Sequence, residues 1–156
     1  MGQKEFLLLL KSNQNIIYKL VHLYANSEED KKDFYQEIVL QAWKSYPDFR
    51  GNSRFSTWLY SICLHTIFTL IKKTNQIDYT DNLRQYEYHL SEQANDEKEH
   101  LYQGIRSLQE VDKAIMTLHL DGYSNQEIAE IMGMTANLVG VKLHRAKQQL
   151  IKFLNQ

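Results

Sequence analysis

Residues 122–150 read GYSNQEIAEIMGMTANLVGVKLHRAKQQL. Two apolar helical periods meet there at Gly133, and the second carries a polar and basic outer side. Ser124 or Asn125 is placed to cap a short helix that turns Ile128, Ala129 and Met132 inward. Gly133 supplies the left-handed backbone that ends a helix at little cost. Thr135 is placed to cap the next helix, whose inner line is Val139, Leu143, Ala146 and Leu150. Small Ala129 lets the two helices approach, so the stretch reads as a helix-turn-helix. A wheel centred on Val139 sends Asn137, Val141, His144 and Gln148 outward, flanked by Leu138, Lys142 and Arg145. These groups suit base edges and phosphates in a major groove. Gly140 has no side chain, which predicts a close approach of the helix backbone to DNA. The competing reading is an ordinary αα-hairpin with a solvated outer face. The alanine, the glycine and the basic end of the second helix favour DNA.

Apolar residues recur at helical spacing over about 4–24, 30–46, 54–73, 109–120, 125–132 and 136–153. One proline, Pro47, and few β-branched runs agree with an all-α fold. Residues 74–100 are polar, acidic and weakly periodic, and read as a linker with some helix near its end. A chain of 156 residues accommodates one ordinary domain or two very small ones. The predicted architecture is therefore two small helical modules, 1–73 and 101–156, joined by the acidic linker 74–100.

The net charge of −1 is unusual for a polyanion binder until it is divided along the chain. Residues 31–73 carry 7 basic and 3 acidic side chains, residues 74–112 carry 3 and 9, and residues 113–156 carry 5 and 3. Two basic blocks are held apart by an acidic one. Local fields, not the total, govern binding to nucleic acid.

Cys63 is the only cysteine, which excludes a disulfide within the chain and suits a cytoplasmic protein. No stretch approaches the roughly 18–20 apolar residues of a membrane span, and the opening residues lack the pattern of a signal peptide. The six histidines form no H-E-x-x-H pair, and neither a phosphate-cradling glycine loop nor a nucleophile elbow is present. Cys63 falls on an inward face and reads as a small core residue. No metal, no cofactor and no catalysis are expected.

In the helix DFYQEIVLQAWK (33–44), Phe34, Ile38 and Ala42 form an inner line with Tyr35 and Val39 beside it. The opposite side presents Asp33, Gln36, Glu37, Leu40 and Lys44. Leu40 is apolar in the middle of a polar face. Single exposed apolar residues are common, but the fixed charges around this one favour a protein-binding face. The following stretch, PDFRGNSRFSTWLYSICLHTIFTLIKK (47–73), breaks at Pro47, turns at Gly51-Asn52-Ser53 and resumes as a helix. Leu59, Cys63, Thr66, Ile67 and Leu70 project inward. Trp58, Ser61, His65, Phe68 and Lys72 project outward, in line with Arg54. Aromatics between basic groups suit unstacked bases and phosphates, against the alternative that Trp58 and Phe68 pack on neighbouring segments.

DFYQEIVLQAWKSYPDFRGNSRFSTWLYSI (33–62), followed by SLQEVDKAIMTLHLDGYSNQEIAEIMGMTANLVGVKLHRAK (107–147), resembles a bacterial RNA polymerase sigma factor of the extracytoplasmic-function type. The likeness covers both modules in order. It implies a promoter-melting N-terminal module and a −35-reading C-terminal one, with core RNA polymerase and promoter DNA as partners and an anti-sigma factor as inhibitor. Asp33, Gln36 and Glu37, with Leu40 and Lys44 on the same face, would meet the clamp helices of the largest polymerase subunit. Arg50, Asn52, Ser53 and Arg54 would lie in the loop that captures a flipped −10 base, and Trp58 at the upstream edge of the melted duplex. Ser61, His65 and Lys72 would continue that −10 surface. Asn137, Leu138, Val141, Lys142, His144, Arg145 and Gln148 would read the −35 element. Two departures stand out: few arginines at the end of 54–73, and Gly140-Val141 in the recognition helix. A helix-turn-helix repressor or activator is the next reading, and a protein-interaction bundle such as a sigma inhibitor the third.

Overall fold

In α1 (Gln3–Tyr24), the buried residues Phe6, Leu10, Ile17, Leu20, Val21 and Tyr24 follow three-, four- and seven-residue steps, so one stripe faces inward. Ser27 caps α2 (Glu28–Ser45), its hydroxyl accepting from the Asp30 N–H at 3.0 Å. Glu28, Glu29 and Asp30 fill the first turn, where the helix dipole favours negative charge. Phe34, Ile38 and Ala42 are buried, the inner line expected from the sequence. Pro47 disfavours continuation of α2, and a single 3-10 turn, Tyr46–Asp48, takes over. Gly51, at φ +74°, turns the chain before α3 (Phe55–Ile77). There Leu59, Cys63, Thr66 and Ile67 are buried, while Leu70 is half-buried.

The computed structural model describes residues 2–77 and 96–156. These are all-α, in two compact units on either side of residues 78–95. Most of the stretch read as an acidic linker thus lies outside the described residues. Its ends are helical: α3 continues to Ile77, and α4 (Asp96–Arg106) begins where the sequence is only weakly periodic.

The first unit closes α1, α2 and α3 over one core, in which Ile17, Leu20, Ile38, Leu59 and Ile67 are fully buried. Each such side chain contributes about 1.5–3 kcal/mol relative to exposure. Cys63 is equally enclosed, and burial pushes its thiol far above the ordinary range. It stays protonated and is a packing residue.

The second unit gathers α4, α5 (Glu110–Leu120), α6 (Asn125–Met132) and α7 (Ala136–Leu154). Ala114, Ile115, Met116 and Leu118 of α5 meet Ile128 of α6 and Val139, Leu143 and Ala146 of α7 in its core. Gly104 decides how closely α4 approaches α7. A Cβ there would stand 2.6 Å from Leu150 Cδ1 and 3.0 Å from Phe153 Cδ1.

Candidate nucleic-acid interface

The helix-turn-helix is built by three local devices. Ser124 Oγ accepts from the Glu127 N–H at 3.2 Å, and Glu127 Oε1 accepts from the Ser124 N–H at 3.0 Å, a reciprocal cap that starts α6. Gly133, at φ +69°, ends it in the left-handed conformation. Thr135 Oγ1 then accepts from the Leu138 N–H at 3.1 Å to start α7. Val139, Leu143, Ala146 and Leu150 are buried as read from the sequence, and Met132 is half-buried.

With that inner line fixed, Asn137, Leu138, Val141, His144, Arg145 and Gln148 are exposed, and Lys142 is half-buried. They share one outward side of α7. Val141 is 56% exposed and Leu138 42%, a large apolar presence on a polar helix face. Such side chains suit thymine methyl groups. His119, at the end of α5, is held below its ordinary pKa by burial and then by Lys147. It is neutral at pH 7.

Gly140 has room for a side chain. Its missing Cβ points towards α6, where Asn125 Nδ2 would lie 3.7 Å away, an ordinary contact. Alanine therefore fits at this position without displacing a neighbour. Gly140→Ala is therefore expected to stabilise the protein by about 0.5–1 kcal/mol, the helix-propensity difference. Chemical denaturation would measure it, and a loss of stability would mean the crossing is tighter than the backbone indicates.

In the first unit, Arg50, Asn52, Ser53 and Arg54 are exposed in the loop around Gly51. Along α3, His65 and Lys72 are exposed and Ser61 is half-buried. The two aromatics are placed differently from the outward positions read on the helical wheel. Trp58 is half-buried against Phe49 and Phe55, with ring centroids 5.2 and 5.3 Å apart. Tyr46 closes this cluster at 6.3 Å. Phe68 packs edge-on against Tyr24 at 5.8 Å. The wheel missed both because partners arrive from the 3-10 turn and from α1, at remote sequence positions.

On α2, Asp33, Gln36, Leu40 and Lys44 are exposed. Glu37 is only half-exposed and accepts from Gln41 Nε2 at 2.9 Å. It shares a depression with His65 of α3, so a residue assigned to polymerase and one assigned to DNA meet. Sequence reasoning passed over Trp43, which is 43% exposed, as is Leu40 three residues before it. Trp43 also leans on Phe6 at 5.3 Å. Its distance from the inner line of α2 was the available signal.

Among the described residues no group of three or more His, Cys, Asp or Glu side chains could hold a metal, and no helix is long and apolar enough to cross a membrane.

A helix-turn-helix with an exposed polar and basic second helix, preceded by a separate three-helix unit, defines a DNA-binding regulator of transcription. The sigma-70 region 2 family model matches residues 9–77 and the sigma-70 region 4 model residues 98–150. The chain is 30% identical to the ECF RNA polymerase sigma-E factor of Haemophilus influenzae, over 95% of its own length and 86% of the relative's. It is 31% identical to the sigma factor YlaC of Bacillus subtilis, over 80% of this chain and 77% of that one. The fold is also that of the sigma factor RpoE of Bartonella quintana, crystallised with the anti-sigma factor NepR. The TM-score is 0.75 at 17% identity, covering 97% of this chain and 95% of that one. The chain belongs to the ECF-type RNA polymerase sigma factors. It directs promoter-specific transcription initiation, with core RNA polymerase and promoter DNA as its partners.

Proposed function

We propose that the two units divide this work: α2 docks on polymerase, the Gly51 loop and α3 hold the melted −10 strand, and α7 reads the −35 element. The observation that carries the proposal is the outward side of α7, where Asn137, Val141, His144, Arg145 and Gln148 are exposed while the opposite side is sealed in the core. On α2, Leu40 and Trp43 are exposed apolar neighbours bordered by Asp33, Gln36 and Lys44, the composition of an interface centre with a polar rim. Glu37 stands at the edge of that face. Arg50, Arg54 and Lys72 supply phosphate contacts beside Asn52, Ser53, Ser61 and His65. Trp58 contributes a ring edge and braces the Gly51 loop through Phe49.

The segments 1–73 and 101–156 are the working modules in this reading, with 74–100 connecting them. The protein acts in the cytoplasm, catalyses nothing itself and leaves the chemistry to polymerase. An anti-sigma factor holds it in reserve, as NepR binds the Bartonella relative.

The test uses the full chain with core polymerase on promoters randomised at the −35 element, at two salt concentrations. Asn137→Ala should relax preference at one base pair, costing about 1–3 kcal/mol there. Arg145→Ala should weaken all sequences alike and reduce the salt slope by about one unit. An unaltered preference together with an unaltered slope would remove α7 from the DNA.

A further inference from the structure

Between α1 and α2 lies a cavity of about 470 Å³ to which α3 contributes no lining residue. Sites that enclose small ligands run to roughly 300–1,000 Å³. Buried Val21 lines it, and Tyr18 and Tyr35 form an aromatic wall, their rings stacked at 5.2 Å and 18°. The two tyrosines come from different helices, so the packing of α1 on α2 sets this wall. Burial and then the hydrogen bond with Tyr18 hold the Tyr35 phenol above its ordinary pKa, which leaves Tyr35 uncharged at pH 7. Tyr18 is 52% exposed, so stacking on Tyr35 leaves much of its ring uncovered.

The α2 side of the cavity is cationic. Lys31 Nζ donates to Glu28 Oε1 at 3.1 Å and keeps further N–H groups to donate. The Glu28 side chain is 87% exposed, and so solvated a pair is weak, which leaves Lys31 able to turn to another anion. Lys32 is exposed and makes no ion pair among the described residues. Gln36 lines the same cavity and also belongs to the proposed polymerase-docking face.

We infer that this cavity binds a small aromatic anion, a flat ring that carries a carboxylate or a phosphate. The ring lies against Val21 and the tyrosine pair, where a third aromatic gains beyond the area it buries. The anionic group meets Lys31 and Lys32 through charge-assisted hydrogen bonds. A neutral ring leaves the lysines to water, and a bare anion leaves the aromatic wall wet. A polymerase segment is the competing occupant, but the volume exceeds that of a single inserted side chain and fits a whole small molecule better. Through Gln36 an occupant alters the surface that polymerase meets, so the site is regulatory. That consequence rests on the proposed docking role of α2, whereas the binding itself does not.

The test titrates the full chain by calorimetry with indoleacetate, for the carboxylate, and with adenosine monophosphate, for the phosphate. At least one should bind with a dissociation constant below about 1 mM. Its neutral counterpart, indole or adenosine, should bind about tenfold more weakly, as should acetate or inorganic phosphate alone. Tyr18→Ala and Lys32→Gln should each weaken the probe about tenfold, while Tyr18→Phe keeps the ring and most of the affinity. Circular dichroism checks that each variant is folded. Failure of both probes to bind, or binding that both variants leave unchanged, overturns the inference. So does a neutral counterpart or a bare anion that binds equally well. If the variants weaken core polymerase with no probe present, the cavity seats a polymerase segment and the inference falls. The bound probe should also shift the polymerase affinity of wild type by about threefold or more, with no response in Tyr18→Ala. A probe that binds without this shift overturns the regulatory consequence. If Leu40→Asp binds both the probe and polymerase as wild type does, it is the docking role of α2 that fails.

Discussion

Leu40→Asp is expected to separate the protein from core RNA polymerase. Leu40 is 43% exposed and lies outside the core of its unit, so the substitution should alter stability by no more than about 0.5 kcal/mol. At the centre of a docked face the same carboxylate would be buried without a partner, and the leucine contacts would be lost. Central interface residues commonly cost about 2 kcal/mol or more when removed, which is roughly a thirtyfold loss of affinity. Co-elution with core enzyme and a titrated dissociation constant would show it, with helical content unchanged by circular dichroism. Lys4→Glu, on the exposed start of α1, serves as the surface control. Equal affinity of Leu40→Asp and wild type would move the polymerase contact off α2.

The second large effect is structural. Gly104→Val should destabilise the C-terminal unit by about 1–3 kcal/mol. A Cβ alone would already stand 2.6 Å from Leu150 Cδ1 and 3.0 Å from Phe153 Cδ1, and valine adds two further methyl groups. Leu150 is itself buried and has little room to yield. For a unit of this size, the melting midpoint should fall by about 4 °C or more. Calorimetry on the full chain would resolve it, because the transition of the first unit should stay in place. An unchanged C-terminal midpoint would mean that α4 moves away from α7 at no cost. Gly140→Ala provides the contrast: there the space is open and the sign reverses.

Several features were legible in the sequence because they are local. Ser124 and Thr135 cap helices through hydrogen bonds three residues along the chain. Gly51 and Gly133 take positive φ where the apolar period breaks. The inner lines of α2 and α7 follow from a 3.6-residue repeat. Each of these depends only on neighbours a few positions away.

Trp58 and Phe68 show where such reasoning stops. A helical wheel places them away from the core of α3, yet Phe49 and Tyr24 pack on them from other segments, and Phe55 at the start of α3 adds to the cover of Trp58. Glu37 likewise lies beside Leu40 on the wheel but turns to Gln41 and the depression it shares with His65. Gly104 and Gly140 are the same residue in the same kind of helix. One meets two side chains of α7, and the other faces open space near Asn125.

The sequence by itself determined the helices other than α4, the caps and turn of the helix-turn-helix and, through the resemblance of two long stretches, the family to which the chain belongs. The helices, caps and turns rest on hydrogen bonds and periodicities within a few residues, which composition and spacing encode directly. Only the tertiary structure decided which outward residues stay uncovered, which glycine is indispensable and where Glu37 and His65 meet. Those outcomes depend on contacts between helices distant in sequence, and a single helix's periodicity carries no information about what packs against its far side.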